Sequence, residues 1–157
     1  INVESSTEMY QAIMECAVKQ DVFIATAAVA DYRPGLQAVN KIKKTTDRLQ
    51  LNLVKTHDIL ASVSALEKAP FTVGFAAETE NLLEHARIKL HNKHLNMIVA
   101  NAVGENLAFG QDDNELDILW TEGHIHLDKN SKNILARRLI EIIAERINAK
   151  NSTENTG

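Results

Sequence analysis

The sequence predicts an α/β fold: a Rossmann-like, open and mainly parallel sheet with helices on both faces and a β-hairpin or flap as an extension. Three near-continuous apolar runs have the length and composition of strands buried on both faces of a parallel sheet. Segments with helical periodicity separate these runs, and this alternation is typical of right-handed crossovers. The length of 157 residues is enough for about one such domain.

The first helix and the first strand begin the alternation. Ser5 or Ser6 can cap a helix, and Glu8 stands at a plausible capping-box position. The apolar positions of this helix include Met9, Ile13 and Val18. Residues 21–30, with the sequence DVFIATAAVA, predict the first buried strand. Asp-Tyr-Arg-Pro follows at once and favours a turn.

The middle of the chain continues the pattern. Residues 48–54, with the sequence RLQLNLV, alternate leucine with polar residues and predict a half-exposed strand. Thr56 can cap the next helix. The apolar residues of that helix are Ile59, Leu60, Val63 and Leu66. Residues 71–77, with the sequence FTVGFAA, predict the second buried strand, and residues 78–93 a long helix.

The last part of the chain completes the predicted domain, which extends over residues 1–147. Residues 95–101, with the sequence LNMIVAN, predict the third buried strand. Residues 114–120 and 124–127 predict a hairpin, and residues 134–147 an amphipathic helix. The remaining residues 148–157 are polar and contain no aromatic residue, which predicts a disordered tail.

Composition and charge exclude several classes of function. The net charge of −4 provides no overall basic field for nucleic acid or for an anionic membrane surface. No apolar run reaches the roughly 18 residues that a membrane span needs. The single cysteine, Cys16, lies in a helical pattern, where a small core residue is favoured over a nucleophile. Because Cys16 has no intramolecular partner, we expect a reducing, cytoplasmic location.

The ends of the three buried strands predict a binding site, because ligands of open α/β sheets lie beyond the carboxyl ends of the strands. These ends fall at residues 30–31, 75–78 and 100–101. Small side chains there let a flat ligand approach the backbone, whose polar groups can then contact its edge. The alternative is structural: the alanines allow close helix packing, and Asp31 caps a turn.

Two groups of lysines favour an anionic ligand. Lys41, Lys43 and Lys44 follow Asp31 in a long connection. Lys89 and Lys93 lie four residues apart, so one helix face carries both ammonium groups. Together the two groups can bind a polyanion such as a triphosphate. The alternative is that Lys93 complements the helix dipole and that Lys89 is solvated.

The chain carries six motifs in the order and near-spacing found in one enzyme family, and it resembles that family from about Val3 to Ile147. The motifs are AAVADYRP, KIKK, LVKTHDIL, GFAAETE, ARIKLHNKHLNMIVAN and FGQDDNEL. The family is that of the bacterial phosphopantothenoylcysteine synthetases. These are CTP-dependent phosphopantothenate–cysteine ligases of coenzyme A biosynthesis, often fused behind a flavin-dependent decarboxylase.

The resemblance implies a CTP site and assigns residues to it. Lys41, the first lysine of KIKK, is the implied catalytic residue, on a flap that contacts the nucleotide phosphates and the acyl substrate. The implied nucleotide-binding residues are Ala27, Ala28, Asp31, Lys41, His57, Asp58, Ile59, Leu60, Phe75, Lys89 and Lys93. His57 replaces a family proline that we expect at the first helical turn, and Ala102 replaces a family aspartate.

The resemblance also implies the reaction. The carboxylate of 4′-phosphopantothenate attacks the α-phosphate of CTP, pyrophosphate leaves, and the amine of L-cysteine then attacks the acyl-cytidylate and releases CMP. Lysines and Mg²⁺ neutralise the phosphate charges, with the metal ligands left open. Both nucleophiles are substrates, so no nucleophilic side chain is needed. A homodimer is implied, and FMN belongs only to a fused decarboxylase domain outside this chain.

Parts of the family pattern are missing from this chain. The glycine-rich strand–loop–helix and an asparagine for the acyl intermediate are not found, so the domain is expected to be partial and the chain alone inactive as a ligase. A non-catalytic nucleotide-binding or dimerisation fragment is the alternative. A Rossmann-type NAD(P) oxidoreductase is less favoured, because the chain has no glycine fingerprint.

The remaining polar and aromatic residues favour structural roles. His124 and His126 share one face of a strand, but without a third ligand an exposed hairpin is favoured over a metal site. Trp120 is expected to pack. The other expected surface residues are His85, His91 and His94 near a helix and Asp112 and Asp113 in a turn.

Overall fold

The computed structural model describes residues 1–36, 38, 40–43, 47–103 and 112–154. The helices are α1 (Ser6–Cys16), α2 (Ile59–Ser64), α3 (Leu82–Asn92) and α4 (Lys132–Glu154), and a 3₁₀ turn at Ala17–Lys19 follows α1. The strands are β1 (Val22–Ile24), β2 (Tyr32–Pro34), β3 (Leu53–Lys55), β4 (Phe71–Glu78), β5 (Met97–Ala102), β6 (Asp113–Trp120) and β7 (Gly123–Ser131).

Five of these strands form one sheet in the order β1-β4-β5-β6-β7. Strands β1, β4 and β5 are parallel, with Val22 opposite Phe71 and Val73 opposite Met97. The predicted hairpin, β6 and β7, continues the same sheet in antiparallel pairing. Strands β2 and β3 form a separate two-stranded sheet. The predicted α/β class with an antiparallel extension is therefore confirmed.

Helices cover both faces of the large sheet. Helix α4 covers one face, where Leu135, Leu139, Ile142 and Ile143 pack on Val73, Met97, Val99 and Ile118. On the other face Ala86 and Leu90 of α3 pack on Ala76, Ile98, Ala100 and Leu119. Helices α1 and α2 form a third cluster around Val63 and Ala17. This burial of apolar side chains from both faces stabilises the layered arrangement.

Gly74 allows close contact between β4 and the layer above it. A Cβ atom at this position would lie 2.7 Å from Leu60 Cδ2 and 2.9 Å from Leu95 Cδ1. Both distances are shorter than carbon–carbon contact. The absence of a side chain therefore lets Leu60 of α2 rest directly on the sheet.

The first strand is shorter than predicted, and its alanines lie outside it. Strand β1 spans Val22–Ile24 instead of residues 21–30, and its side chains are only half-buried. Ala25 N still donates to Val73 O at 2.9 Å, but Ala27 and Ala28 lie in an exposed loop. Among the described strands β1 pairs only with β4. Without a second neighbour, the apolar run is not held in the sheet along its whole length.

The strand predicted at residues 48–54 is also shorter. Only Leu53–Lys55 forms a strand, β3, and it pairs antiparallel with Tyr32–Pro34. The chain between these strands, residues 35–52, is here named the arm. Leu49 and Leu51 on the arm are 65% and 59% exposed in the single chain, so the sheet leaves these leucine side chains uncovered.

The start of the first helix was predicted correctly, and the starts of the next two were not. Ser5 caps α1 and accepts from Glu8 N. Thr56 does not cap α2, because its hydroxyl donates to Ala30 O at 2.7 Å. Asp58 is the cap and accepts from Ala61 N at 3.0 Å. Helix α3 begins only at Leu82, since Glu78 continues β4.

The last helix corrects the predicted tail. Helix α4 extends from Lys132 to Glu154, so residues 148–154 are helical where disorder was expected. The hydroxyl of Ser152 donates to Asn148 O at 2.9 Å, which is compatible with continued helix. Polar composition alone therefore did not end the helix. Among the described residues, no helix combines the length and the apolar character needed to cross a membrane.

Candidate functional site

A cavity of about 570 Å³ opens beyond the carboxyl ends of β1 and β4. The predicted site residues lining it are Ala27, Ala28, Asp31, His57, Asp58, Ile59, Leu60, Phe75, Lys89 and Lys93. The structure thus brings together residues that are up to 66 positions apart, from 27 to 93. The end of β5, at Ala100 and Asn101, does not line it.

The alanine loop forms one wall of the cavity and is fixed to the opposite wall. Thr56 N donates to Asp31 O at 2.9 Å, and the Thr56 hydroxyl donates to Ala30 O. These bonds join the loop after β1 to the segment that enters α2. Ala27 and Ala28 are exposed, so a flat ligand can reach their backbone without displacing a large side chain.

The entrance to α2 places an ion pair in the cavity. Lys93 Nζ lies 2.8 Å from Asp58 Oδ2. Burial on its own would raise the pKa of Asp58, but the hydrogen bonds from Lys93 and from Ala61 N lower that pKa overall. The Ser64 hydroxyl donates to Lys93 O at 2.5 Å, so α2 holds both the side chain and the backbone of Lys93.

Lys89 is held by Glu78, which lies at a strand end of the predicted site but was not named among the binding residues. Its ammonium donates to Glu78 Oε1 at 2.5 Å, and His85 Nδ1 lies 3.3 Å from Glu78 Oε2. The hydrogen bond from Lys89 lowers the pKa of Glu78, against the opposing effect of burial. His85 lies four residues before Lys89, so the two side chains share one helix face and contact the same carboxylate.

Aromatic and basic residues complete the lining. Phe75 is 36% exposed and presents an apolar ring to the cavity. Lys55 and Tyr32, paired across β2 and β3, also line it. Sequence reasoning missed both, because their pairing brings together residues separated by the whole arm.

His57, which lines the cavity, is part of a stacked aromatic pair. Its ring centroid is 4.3 Å from that of Tyr10 on α1, with an interplanar angle of 19°. His57 precedes the cap residue Asp58, so it lies outside the first helical turn where the family proline was expected. A proline would have constrained the approach to the helix, and the stack can hold that segment instead.

The sequence matches the model of the DNA/pantothenate metabolism flavoprotein C-terminal domain over residues 1–147. The chain belongs to this family. It is 48% identical to the coenzyme A biosynthesis bifunctional protein CoaBC of Vibrio parahaemolyticus, over 92% of this chain and 37% of the relative. The corresponding protein of Haemophilus influenzae is also 48% identical, over 93% and 37%. The chain therefore spans little more than a third of these relatives.

A solved structure agrees with this assignment. The crystal structure of the C-terminal domain of a coenzyme A biosynthesis bifunctional protein CoaBC aligns with a TM-score of 0.74 and 32% identity. The alignment covers 96% of this chain and 66% of that chain. The family and its fold are thus established by sequence and by structure.

Not every predicted residue of this flavoprotein C-terminal domain lies at the cavity. Lys41, the predicted catalytic residue, is exposed on the arm and does not line it. Lys43 is likewise exposed, and Lys44 lies outside the described residues. The contact predicted for Lys41 therefore stays a prediction. Ala102 lies opposite Glu78 in the β4–β5 ladder.

The two hairpin histidines share one carboxylate. His124 Nε2 lies 2.7 Å and His126 Nδ1 3.0 Å from Asp117 Oδ1 on the neighbouring strand. The hydrogen bond to Asp117 raises the pKa of His126. Among the described residues no three histidine, cysteine, aspartate or glutamate side chains are arranged to hold a metal ion.

The structure also places Trp120, Cys16, Asp112 and Asp113. Trp120 packs against the α4 core, and the Arg146 guanidinium lies 4.7 Å from its ring centroid. The Cys16 thiol is half-buried and donates to Ala12 O at 3.0 Å. Asp112 O accepts from Lys132 N, while Asp113 begins β6 instead of lying in a turn.

Proposed function

We propose that the cavity binds CTP and that the chain is part of a phosphopantothenate–cysteine ligase of coenzyme A biosynthesis. The observation that carries this proposal is the convergence of the alanine loop, Phe75, Lys89 and Lys93 on one cavity at the strand ends. The named relatives, at 48% identity, are proteins of coenzyme A biosynthesis. The ligase activity, its substrates and its partners belong to this proposal.

The two kinds of lining match the two parts of a nucleotide. The Phe75 ring and the exposed backbone at Ala27 and Ala28 suit a flat pyrimidine and the polar groups on its edge. Asp31 can accept hydrogen bonds from the base or from ribose hydroxyls. Lys89 and Lys93 can then donate to the phosphates in charge-assisted hydrogen bonds.

The chemistry requires charge neutralisation and alignment. In the proposed reaction the carboxylate of 4′-phosphopantothenate forms a bond to the α-phosphorus of CTP, and the bond to pyrophosphate breaks. The amine of L-cysteine then attacks the acyl carbon, and CMP leaves. Several anionic groups meet in one place, so the lysines lower the repulsion that opposes in-line attack.

The donor set of the cavity also fits Mg²⁺. In nucleotide sites this ion is held by one or two carboxylates together with phosphate oxygens, and Asp31 can provide one such carboxylate here, as an alternative to contacting the base or ribose. When bound, Mg²⁺ would neutralise phosphate charge. FMN is assigned to a separate decarboxylase domain of the longer proteins, and the cytoplasmic location stays a prediction.

Pyrophosphate release tests the ligase proposal. We expect release from CTP, with 4′-phosphopantothenate and Mg²⁺, by a form extended at its N-terminus with the segment found in the relatives, and none by this chain alone. The double variant Lys89→Ala/Lys93→Ala of the extended form should lose the activity. A non-catalytic nucleotide-binding module, the alternative, would bind CTP and release no pyrophosphate in either form.

A further inference from the structure

We propose that Glu78 is a positioning residue for the phosphate-binding part of the cavity, and that it acts by holding the ammonium group of Lys89. The inference rests on the proposed function, since it concerns how the same cavity takes a nucleoside triphosphate. Lys89 lines the cavity, whereas Glu78 is not among its lining residues. Glu78 can therefore be changed without altering a side chain of the cavity wall.

The backbone of Glu78 is fixed by the sheet. Glu78 is the last residue of β4 and lies opposite Ala102 of β5. Its carbonyl accepts from Val103 N at 2.9 Å. Its side chain points to the α3 face, as does that of Ala76 two residues earlier. The Glu78 side chain is 17% exposed, so both ends of the residue are restrained.

The carboxylate of Glu78 contacts two residues one turn apart on α3. Oε1 accepts from the Lys89 ammonium, and Oε2 lies 3.3 Å from His85 Nδ1. Each contact uses a different oxygen, so the carboxylate is held from two directions. The lowered pKa of Glu78 means that it is ionised at neutral pH.

This arrangement can prepare Lys89 for a phosphate. A lysine side chain has many rotamers, and ordering it during binding costs affinity. An ammonium group has three donors, so Lys89 can keep its bond to Glu78 and still donate to a phosphate oxygen. A restrained carboxylate behind the lysine therefore reduces the ordering that the nucleotide must impose.

A carboxylate close to a phosphate site also repels the ligand, and this effect has the opposite sign. If the negative charge of Glu78 were its only influence, the Glu78→Gln variant would bind CTP more tightly. If Glu78 positions Lys89, the same variant binds CTP more weakly, because the neutral amide is a weaker acceptor for an ammonium group. The direction of the change in CTP affinity therefore distinguishes charge repulsion from positioning of Lys89.

The experiment is a double-mutant cycle on CTP affinity, measured by calorimetry with the 157-residue chain. We expect Glu78→Gln to weaken CTP binding by about 5–10-fold, and to have no further effect in the Lys89→Ala background. Glu84→Gln is the matched control, because it removes the same charge from an exposed position on α3. It should leave the affinity within about two-fold of the unsubstituted chain.

Two further measurements separate positioning from a general effect on the fold. Cytidine has no phosphate, so its affinity should not change in Glu78→Gln. Glu78→Asp keeps the charge and should recover part of the CTP affinity, and it replaces the Gln variant if that one fails to fold. His85→Gln should weaken CTP binding by less than Glu78→Gln does.

Several results would overturn the inference while the proposed function stands. The first is that Glu78→Gln binds CTP more tightly than the unsubstituted chain. The second is that Glu78→Gln lowers CTP affinity as much in the Lys89→Ala background as in the unsubstituted chain. The third is that Glu78→Gln lowers the affinity for cytidine as much as the affinity for CTP. Failure of the unsubstituted chain to bind CTP is a different result. It would remove the proposed function first, and the inference with it.

Discussion

Each of the two cavity lysines on α3 is already paired with a carboxylate. Lys89 is bound to Glu78 and Lys93 to Asp58, and both lysine side chains are partly exposed. Ion pairs of this kind contribute about 0–1 kcal/mol to stability, because solvent screens them. The two ion pairs therefore contribute little to the stability of the fold.

A first prediction follows for these lysines. Lys89→Ala and Lys93→Ala should each weaken CTP binding by about 1.5–3 kcal/mol, the usual range for a charge-assisted hydrogen bond. Thermal unfolding should change little. The control is Lys68→Ala, at an exposed position outside the cavity. Unchanged CTP affinity in both cavity variants would identify these lysines as ordinary surface residues.

The end of α3 contains an unfavourable backbone conformation. His94 has φ of 51°, and the bonds from Leu95 N to Leu90 O and from His94 N to His91 O form a Schellman motif. Glycine is the residue best suited to that position. We therefore predict that His94→Gly raises the free energy of unfolding by about 1 kcal/mol. His91→Gly, within the helix, should lower it by about 1 kcal/mol, and a loss of stability in His94→Gly would contradict the argument.

Sequence reasoning found the cavity residues that belong to continuous motifs and missed those that depend on pairing. The alanine loop, the His57 to Leu60 segment and the α3 lysines were predicted from their motifs. Glu78 was assigned to a helix, because its neighbours favour helix as much as strand. Lys55 lies on β3 and is placed at the cavity by pairing with β2. Strand β2 has three residues, and the turn sequence Asp-Tyr-Arg-Pro did not predict it.

At the scale of elements, the arm exposes several large apolar side chains. They are Leu36, Ile42, Leu49 and Leu51, with Leu53 at its base in β3. Exposed apolar groups in such density are typical of a surface that another chain covers. We propose a two-fold homodimer formed through the arm, in which Lys41 reaches towards the partner's cavity.

Light scattering tests this dimer. At micromolar concentration we expect twice the mass of one chain, and about half of that for the variant Leu49→Ser/Leu51→Ser. Ile140→Ser is the control, since Ile140 is 54% exposed on α4, away from the arm. A monomeric mass for the unsubstituted chain would rule out the arm-mediated dimer.

The hairpin gives a prediction about pH. The pKa of His126 is raised above its ordinary value of 6.5 by its hydrogen bond to Asp117. Its contribution to stability is thus complete below about pH 6.5 and is lost as the pH rises through the higher folded pKa. Urea unfolding across this range should show that the free energy of unfolding decreases as the pH rises, and that it decreases less in His126→Gln than in the unsubstituted chain. An equal decrease in both chains would show that His126 is not its source.

At the scale of the whole molecule, the sequence was sufficient for the class of fold and for the chain order of the strands in the large sheet. The central strands β4 and β5 were predicted closely, because they are buried on both faces. Strand β1 was predicted too long, because an apolar run does not reveal how many neighbours a strand has. The helical continuation of α4 through polar residues was missed for a related reason: composition does not show where a long helix ends.

The architecture places a cavity of about 570 Å³ at the carboxyl end of the parallel strands, and the central proposal is that this cavity selects CTP. Calorimetric titration of the chain with CTP, ATP and NADH tests that claim most directly. The account predicts that CTP binds most tightly and that the Lys89→Ala/Lys93→Ala variant loses this binding. Equal affinity for CTP and ATP, or a preference for NADH, would contradict it.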